Sequence, residues 1–358
     1  IATGEMRQAV AQVEGEFKSM VGQADRLLET VRGWAQLGEL DLNDMRAFNR
    51  LFLPVLASRP LLNSAYRSEG RVRQLQLVQR LDGIWINRLT DVVKWGPKRR
   101  ELTWRELSDT PRESWLAGEY DPRVRPWYIG ALGLARDTDK YWSDPYIFSA
   151  SKDPGITASV RLGGTNPDEV RIFAFDIKLL HLSRFISTVK VGGRGRTALL
   201  TNKGSLVGVR APNMRTDDEI RKAVLKMPAE SGVKKVADAW ERWEAGSRPY
   251  SQVQRFEAEG EAWLAWFQSA QFGNGHFIVA VVAPENDFLP AALRRAAWLL
   301  ALLLAAVAAV GLALGAIVAR RFSAPLESLA AESRRLGEMT LDQPISTRSG
   351  LREVATLI

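Results

Sequence analysis

The chain has 358 residues, no cysteine, two histidines and a net charge of +8 at neutral pH. Without cysteine it has no disulfide, thiol nucleophile or thiolate metal site, and neither His181 nor His276 stands in a metal-ligand spacing. Its lysines and arginines are scattered without a long basic block or a nucleic-acid motif, so we predict a basic surface and no nucleic-acid partner. We also predict no cofactor.

Residues 1–58 predict two helices. The second runs from about residue 42 to residue 57, and Gly38 is a plausible end of the first. Two interpretations of the first helix stay open, packing on its own domain or forming the stalk of a homodimer, and both can hold along different parts of it. Apolar residues of the first helix recur at alternating intervals of four and three, which is the heptad seam of a helix that packs on another helix. These residues are Met6, Val10, Val13, Phe17, Met20, Ala24, Leu27, Val31 and Trp34.

Residues 59–190 predict a first strand-rich module. Residues 63–78 alternate as strand, turn and strand, with the turn at Ser68-Glu69-Gly70. Residues 103–119 are mixed and rich in tryptophan, and Pro126 opens a short helix. Residues 170–175 form a buried strand that we predict to end at Asp176. The other predicted elements of this module are strands at 141–146 and 155–162 and a helix at 179–189.

Residues 191–290 predict a second module. Residues 197–209 again alternate as strand, turn and strand, with the turn at Asn202-Lys203-Gly204, so an internal structural repeat is plausible. Polar helices or loops are predicted at 216–226 and 232–245. Strands at 262–270 and 275–282 form an antiparallel pair joined through Gly273-Asn274-Gly275.

Residues 296–319 contain no charged residue. Roughly 20 apolar residues suffice to cross the hydrocarbon core of a bilayer, so we predict a transmembrane helix, with a buried core helix as the alternative. Arg320 and Arg321 follow the span directly, and the arginines on this side favour a cytoplasmic C-terminal end. Gly311 and Gly315 form a G-x-x-x-G pair, a spacing that lets two such helices approach closely.

The residues after this span predict helix, connector and helix. Pro325 precedes a second seam, Gly337 interrupts it, and another seam begins near Glu353. This order resembles the start of a HAMP signal-relay module over residues 320–358. The sequence begins at Ile1 without an initiator methionine and stops at Ile358 inside a seam. We therefore expect a fragment of a longer protein, with a cytoplasmic effector beyond Ile358.

Three short segments resemble the sensor region of bacterial double Cache receptors. They are Asp121-Pro122-Arg123-Val124-Arg125-Pro126-Trp127-Tyr128, then Trp142-Ser143-Asp144-Pro145-Tyr146 followed by Gly155-Ile156-Thr157, and Phe173-Ala174-Phe175-Asp176. The resemblance covers about residues 1–290. It implies an α+β fold in which a long N-terminal helix precedes two tandem PAS-like antiparallel-sheet (Cache) modules, membrane-distal at 59–190 and membrane-proximal at 191–290.

Within this family a subset binds amino acids through a tyrosine, an arginine, a Trp-Tyr pair and a later aspartate. The resemblance places the ligand site in the membrane-distal module, at Tyr120, Arg125, Trp127, Tyr128, Tyr146 and Asp176. Arginine offers a planar fork to a carboxylate, the indole adds a donor, and Asp176 can accept from an ammonium group. An α-amino acid carries both ions on one carbon and therefore suits such a pocket.

One position departs from the family pattern. Amino-acid sensors of this type often carry an acidic residue two positions after the tyrosine that matches Tyr146, and here that position is Phe148. Another small ligand stays open for this reason. So does a structural module, in which Arg123 and Arg125 only buttress their loop by pairing with Asp121 or Asp144.

The parts together indicate a transmembrane receptor with a small-molecule ligand and a periplasmic or extracellular sensor. These residues show no nucleophile–base pair, phosphate loop or metal cluster, so we predict no catalytic site among them. Residues 339–358 resemble those that precede class III nucleotide cyclases, while histidine kinase, diguanylate cyclase and chemotaxis outputs stay open. A purely structural membrane anchor is the third interpretation.

Overall fold

The computed structural model describes residues 1–319 except 39, 41–43, 71, 72, 80–82, 119, 165, 167, 210–213, 215, 289 and 290, together with 327, 330, 331 and 334. It divides into two units, Ile1–Phe288 and Leu289–Ile358. Apart from those last four positions, the HAMP-like segment predicted at 320–358 lies outside the described residues.

Two helices open the first unit, α1 (Ala2–Gln36) and α2 (Met45–Ala57). Asp44 caps α2, since its Oδ1 accepts hydrogen bonds from the backbone N–H groups of Arg46 and Ala47 at 2.8 and 3.2 Å. The predicted start of this helix at residue 42 lies outside the described residues. The apolar seam of α1 is buried within this chain, at Met6, Ala9, Val10, Val13, Phe17, Met20, Ala24, Leu28 and Val31.

The first sheet has nine strands in the described part of the chain, all paired antiparallel, in the order β5-β4-β3-β2-β1-β9-β8-β6, with β7 also on β8. These strands are β1 (Leu62–Glu69), β2 (Arg73–Gln79), β3 (Trp85–Asp91), β4 (Arg99–Trp104), β5 (Arg112–Leu116), β6 (Tyr141–Trp142), β7 (Tyr146–Ile147), β8 (Pro154–Arg161) and β9 (Arg171–Lys178). The helices between and after them are α3 (Val92–Trp95), α4 (Pro126–Leu132) and α5 (Leu179–Ile186).

Strand β9 shows how the two faces of this sheet differ, because successive side chains of a strand point to opposite faces. Phe173 and Phe175 enter the large core that α1 and α2 complete, with the Phe173 and Phe52 rings stacked at 4.8 Å. Ile172 and Ala174 instead join a small apolar cluster with residues of α4. Asp176 comes two positions after Ala174, so its side chain lies on the same face of the sheet, the face that α4 covers.

The prediction that the strand ends at Asp176 was wrong by two residues. β9 continues to Lys178 because its neighbours extend the ladder on both sides. Leu62 of β1 pairs with Ile177, and Gly155 of β8 pairs with Lys178. Asp176 therefore lies inside a three-strand ladder, where its backbone is held on both edges.

The second sheet has five strands among the described residues, in the order β11-β10-β14-β13-β12. They are β10 (Arg196–Thr201), β11 (Leu206–Val209), β12 (Val253–Ala258), β13 (Glu261–Phe272) and β14 (Gly275–Pro284), with the helices α6 (Asp217–Ala223) and α7 (Lys234–Ala245). The sequence did not predict β12. Trp243 of α7 stacks on Phe267 of β13 with the ring centroids 4.8 Å apart, so α7 packs against one face of this sheet.

Helix α1 packs on both sheets. The Phe17 ring meets Phe272 and Phe277 of the second sheet edge-on, at 4.2 and 5.3 Å. Eight residues further along the helix, Asp25 accepts a 3.1 Å hydrogen bond from the indole of Trp142 in the first module. The seam predicted from the sequence therefore packs on the helix's own chain.

These observations confirm the predicted fold class, a long N-terminal helix with two antiparallel sheets in an α+β arrangement and one apolar helix near the C-terminal end. That last helix is α8 (Ala291–Val318) in the second unit. Its segment Trp298–Val318 is long and apolar enough to cross a membrane, and none of it is buried. A core helix of a soluble protein would be mostly buried, so its exposure favours the membrane interpretation.

Candidate functional site

Asp176 lies at the centre of a buried polar cluster on the face of the first sheet that α4 covers. The strand register sets Ser64 of β1 on one side of it and Thr157 of β8 on the other. Its Oδ2 accepts a hydrogen bond from Ser64 Oγ at 2.8 Å, and its Oδ1 accepts from Thr157 Oγ1 at 2.7 Å and Tyr66 Oη at 2.9 Å. The residue is 3% exposed.

Burial raises the pKa of Asp176 from 3.8 to about 6, while the three hydroxyl donors and the charge of Arg125 act in the opposite direction. The group is therefore a carboxylate at neutral pH. Among the residues that the structure describes, no ion pair involves it. A buried carboxylate whose described donors are all hydroxyl groups is an acceptor suited to a cationic ligand.

Tyr66, Ser64 and Thr157 were not predicted as site residues. Burial, followed by the charge of Asp176, raises the pKa of Tyr66 well above its ordinary value, so its hydroxyl remains a donor. Ser64 Oγ itself accepts from Gln76 Nε2 at 3.1 Å, and this bond fixes the direction of its own proton. The sequence contained one signal that could have identified Tyr66, Ser64 and Thr157: polar side chains at every second position of a buried strand.

Arg125 lies at the junction between a short 3-10 turn, Pro122–Val124, and α4, for which it is the N-cap. Its guanidinium lies 5.1 Å from the centre of the Tyr146 ring, and its Nη2 makes a long 3.3 Å contact with the Ile147 carbonyl oxygen. It forms no ion pair with any described carboxylate. Its charge nevertheless acts on the pKa of Asp176, so the two opposite charges lie near each other.

Arg123 behaves differently from Arg125 although only one residue separates them. Its Nε donates to both carboxylate oxygens of Asp121, at 2.9 and 2.8 Å, and Asp121 also caps the turn through the Arg123 N–H. The buttress interpretation therefore describes Arg123. Arg125 is left with its fork available to a carboxylate from outside.

Tyr120, from a loop, and Tyr146, from the short strand β7, approach the same cluster. The Tyr120 hydroxyl donates to Gln74 Oε1 at 3.0 Å, and burial raises its pKa to about 12. The Tyr146 hydroxyl and Thr157 Oγ1 share a 2.6 Å hydrogen bond, and burial raises the pKa of Tyr146 too. Both phenols therefore stay protonated at neutral pH and can donate or accept.

Trp127 and Tyr128 lie deeper, inside the small apolar cluster. The Trp127 ring meets Tyr66 edge-on at 4.6 Å and is 1% exposed, so it fixes the ring whose hydroxyl reaches Asp176. The Tyr128 hydroxyl donates to the Gly70 carbonyl oxygen at 3.0 Å, in the turn after β1. Of the six predicted residues, Asp176 is the carboxylate, three lie around it, and these two pack behind them.

Phe148 occupies the position where the family pattern often has an acid. Its ring is 1% exposed and meets Tyr146 edge-on at 5.4 Å. It also covers Gly155, where a Cβ atom would lie 1.9 Å from Phe148 Cζ. This position supplies an apolar wall, so Asp176 is the carboxylate that the structure places at the centre of the cluster.

Comparisons with solved structures return ligand-binding domains of bacterial chemoreceptors. One is that of the Pseudomonas aeruginosa PAO1 amino acid chemoreceptor PctC in complex with GABA, with 19% identity, a TM-score of 0.49, and coverage of 79% of this chain and 99% of that one. Another is that of the Pseudomonas fluorescens chemoreceptor CtaA in complex with L-leucine (15%, 0.45, 78% and 91%). A third is the sensory domain of the Campylobacter jejuni chemoreceptor Tlp3 with isoleucine bound (12%, 0.47, 80% and 92%). No protein-family model and no curated protein matches the chain.

Proposed function

We propose that this chain is the sensory part of a transmembrane receptor and that its first module binds an amino acid. The observation that carries the proposal is Asp176, a buried carboxylate held by three hydroxyl donors, with the guanidinium of Arg125 nearby, which no described carboxylate pairs with. An α-amino acid brings an ammonium group for the first and a carboxylate for the second. Each of these two protein groups then gains the partner that it lacks in the described part of the chain.

The remaining site residues support this arrangement. Tyr146 lies beside Arg125 and shares a hydrogen bond with Thr157, so its hydroxyl joins the two ends of the site. Tyr120 closes another side, and Trp127 and Tyr128 hold the cluster from behind. Charge-assisted hydrogen bonds of this kind are roughly twice as strong as neutral ones, which favours a zwitterion over a neutral metabolite.

The receptor part of the proposal rests on α8, whose exposed apolar segment is suited to a bilayer. On this view the sensor lies in the periplasm or outside the cell, and residues 320–358 form the start of a cytoplasmic HAMP module in a homodimer. An effector follows, for which we favour a class III nucleotide cyclase. A ligand drives such a relay only if it binds the two signalling arrangements with unequal affinity.

The test is calorimetric titration of the whole 358-residue chain in nanodiscs with each of the common amino acids. We expect at least one amino acid to bind. Asp176→Asn and Arg125→Ala should each abolish the heat of its binding. Arg123→Ala is the matched control because that side chain is engaged with Asp121 and should leave binding unchanged. If no amino acid binds, or if the Asp176 and Arg125 variants bind as well as the parent chain, the proposed site is wrong.

A further inference from the structure

Two more guanidinium groups lie on the same face of the sheet, on strands that the motif does not include. Tyr66 pairs with Gln76 across β1 and β2, and Gln76 pairs with Arg88 across β2 and β3. Directly paired residues of neighbouring strands share a face. Arg88 in turn pairs with Glu101 of β4, and Arg99, two positions from Glu101, points to that face as well.

Neither guanidinium has all its donors used. Arg88 Nε donates to Glu101, but its Nη1 is buried and has no hydrogen-bond partner among the described residues. Arg99 Nη1 makes a long 3.4 Å contact with Ser149 Oγ, while its buried Nε likewise has none within the described part of the chain. A buried donor without an acceptor is costly, and a bound group that supplied acceptors would remove this cost.

The charges at this place do not balance. Burial lowers the pKa of Arg99, and the neighbouring charge of Arg88 lowers it further, so the two cations act on each other. Glu101 is the carboxylate between them, and it already accepts from Arg88. Among the residues that the structure describes here, one carboxylate thus faces two cations, and a further anion would complete the pairing.

Arg88 also lines a cavity of about 620 Å³ between the first sheet and α6. Three more cationic side chains line it, those of Lys152, Lys178 and Arg221. The carboxylate in its wall, Asp153, is already engaged by Arg221 at 2.6 Å and by Lys178 at 3.6 Å. The cavity next to Arg88 is therefore large enough for a small-molecule group and has an excess of positive charge.

Tyr120 connects this cationic region with the amino-acid site. The Arg99 guanidinium lies 4.9 Å from the centre of the Tyr120 ring. After the dominant effect of burial and the hydrogen bond to Gln74, the pKa of Tyr120 also responds to the charges of Arg125, Asp176 and Arg99. The phenol therefore contacts Arg99, and the charges of both regions act on it.

We propose that the ligand is an amino acid whose side chain ends in a second carboxylate, and that Arg88 and Arg99 bind this carboxylate. The inference rests on the amino-acid site proposed above and adds the side-chain class. An apolar side chain would leave Arg88 Nη1 and Arg99 Nε without an acceptor among the described residues, and an amide would supply an acceptor without charge, whereas a carboxylate supplies acceptors and charge together.

Isosteric ligand pairs provide the test. We titrate the whole chain in nanodiscs with L-glutamate against L-glutamine and L-aspartate against L-asparagine. We expect at least one acid to bind on the order of 10-fold tighter than its amide, the ratio that one charge-assisted hydrogen bond supplies. Arg99→Met should remove that ratio and leave the amide affinity within about 3-fold. Arg100→Met is the matched control, since Arg100 points to the opposite face and pairs with Glu113.

The outcomes separate the two proposals. Binding of neutral amino acids alone, an amide as tight as its acid, or an equal loss for both in Arg99→Met overturns the second-carboxylate site and retains the amino-acid site. Binding of glutarate but of no amino acid, lost in Arg99→Met, retains an anion site at Arg88 and Arg99 and overturns the ammonium site at Asp176. No binding of these compounds or of any other common amino acid overturns both.

Discussion

The Tyr66 hydroxyl donates a 2.9 Å hydrogen bond to Asp176, although 110 positions separate the two residues in the chain. The antiparallel pairing of β1 with β9 brings them together, and Trp127 fixes the Tyr66 ring from the side. The carboxylate thereby receives a donor whose direction is set by the sheet and by a buried indole. Replacement of either partner should therefore change the proton affinity of the other.

The first prediction concerns the pH dependence of stability without ligand. The folded pKa of Asp176, about 6, lies above its unfolded value of 3.8, so the native state holds this proton more tightly than the unfolded chain. Protonated Asp176 therefore contributes in total about 3 kcal/mol to the free energy of unfolding. This contribution is complete below the unfolded pKa and is lost as the pH rises through the folded pKa.

Urea unfolding of the parent chain and of Asp176→Asn at pH 4 and pH 7 measures this contribution. The free energy of unfolding of the parent should fall by about 2 kcal/mol relative to the variant between the two pH values, because pH 4 already lies slightly above the unfolded pKa of 3.8. The comparison with the variant removes the contributions of all other carboxylates. A difference between the two chains that is the same at both pH values would contradict the prediction.

The second prediction concerns the two arginines of the motif. Arg125→Ala should weaken amino-acid binding on the order of 100-fold, because two hydrogen bonds to a carboxylate contribute about 3 kcal/mol. Arg123→Ala should change the affinity less than about 3-fold, since its guanidinium is held by Asp121. Calorimetry on both variants checks this, and similar losses in the two would show that the loop, rather than the Arg125 fork, matters.

Tyr66→Phe tests the third hydroxyl donor. Loss of a donor to the charged form raises the pKa of a carboxylate. We expect the pH at which amino-acid affinity reaches half its maximum to move upward by about one unit, equivalent to about 1.4 kcal/mol. Tyr250→Phe, on a half-exposed ring against Trp243, is the control. An unchanged pH profile would mean that Ser64 and Thr157 alone hold the carboxylate.

Phe148→Ala tests the apolar wall. Removal of a fully buried phenylalanine ring costs about 3–5 kcal/mol in the free energy of unfolding, and here it uncovers Gly155. Ile147→Ala, one position earlier and 46% exposed, should cost less than about 1 kcal/mol. Urea unfolding of both variants gives the comparison. Equal and small effects would show that the Phe148 ring is not part of the packed core.

The sequence predicted the fold class correctly and supplied the motif residues as candidates, because both depend on local patterns. It missed Tyr66, Ser64 and Thr157, since their importance comes from which strands pair and in which register, and nothing near residue 66 identifies β9 as its neighbour. Arg88 and Arg99 were missed for the same reason. On a lone strand, an arginine gives no indication whether its face is solvent or a ligand site.

Helix α1 shows a smaller limit of the same kind. A strict heptad selected Leu27, but the structure buries Leu28 instead. A straight α-helix has 3.6 residues per turn, so a seven-residue repeat drifts around it by about 20° per heptad. A helix that packs on sheets does not have to supercoil and keeps its own period. The pattern therefore predicted the helix and the buried Val31 correctly, and it selected Leu27 where the structure buries Leu28.

The packing of α1 on both sheets has a consequence for synthesis and for dissection of the chain. Phe17 is translated early, whereas its partners Phe272 and Phe277 follow some 250 positions later, a delay on the order of 10–50 seconds at about 5–20 residues per second. During that interval the N-terminal part of the seam has no sheet to cover it. A truncation that retains the first module and ends before β13 would make this exposure permanent. The first module should therefore aggregate when it is expressed without the second.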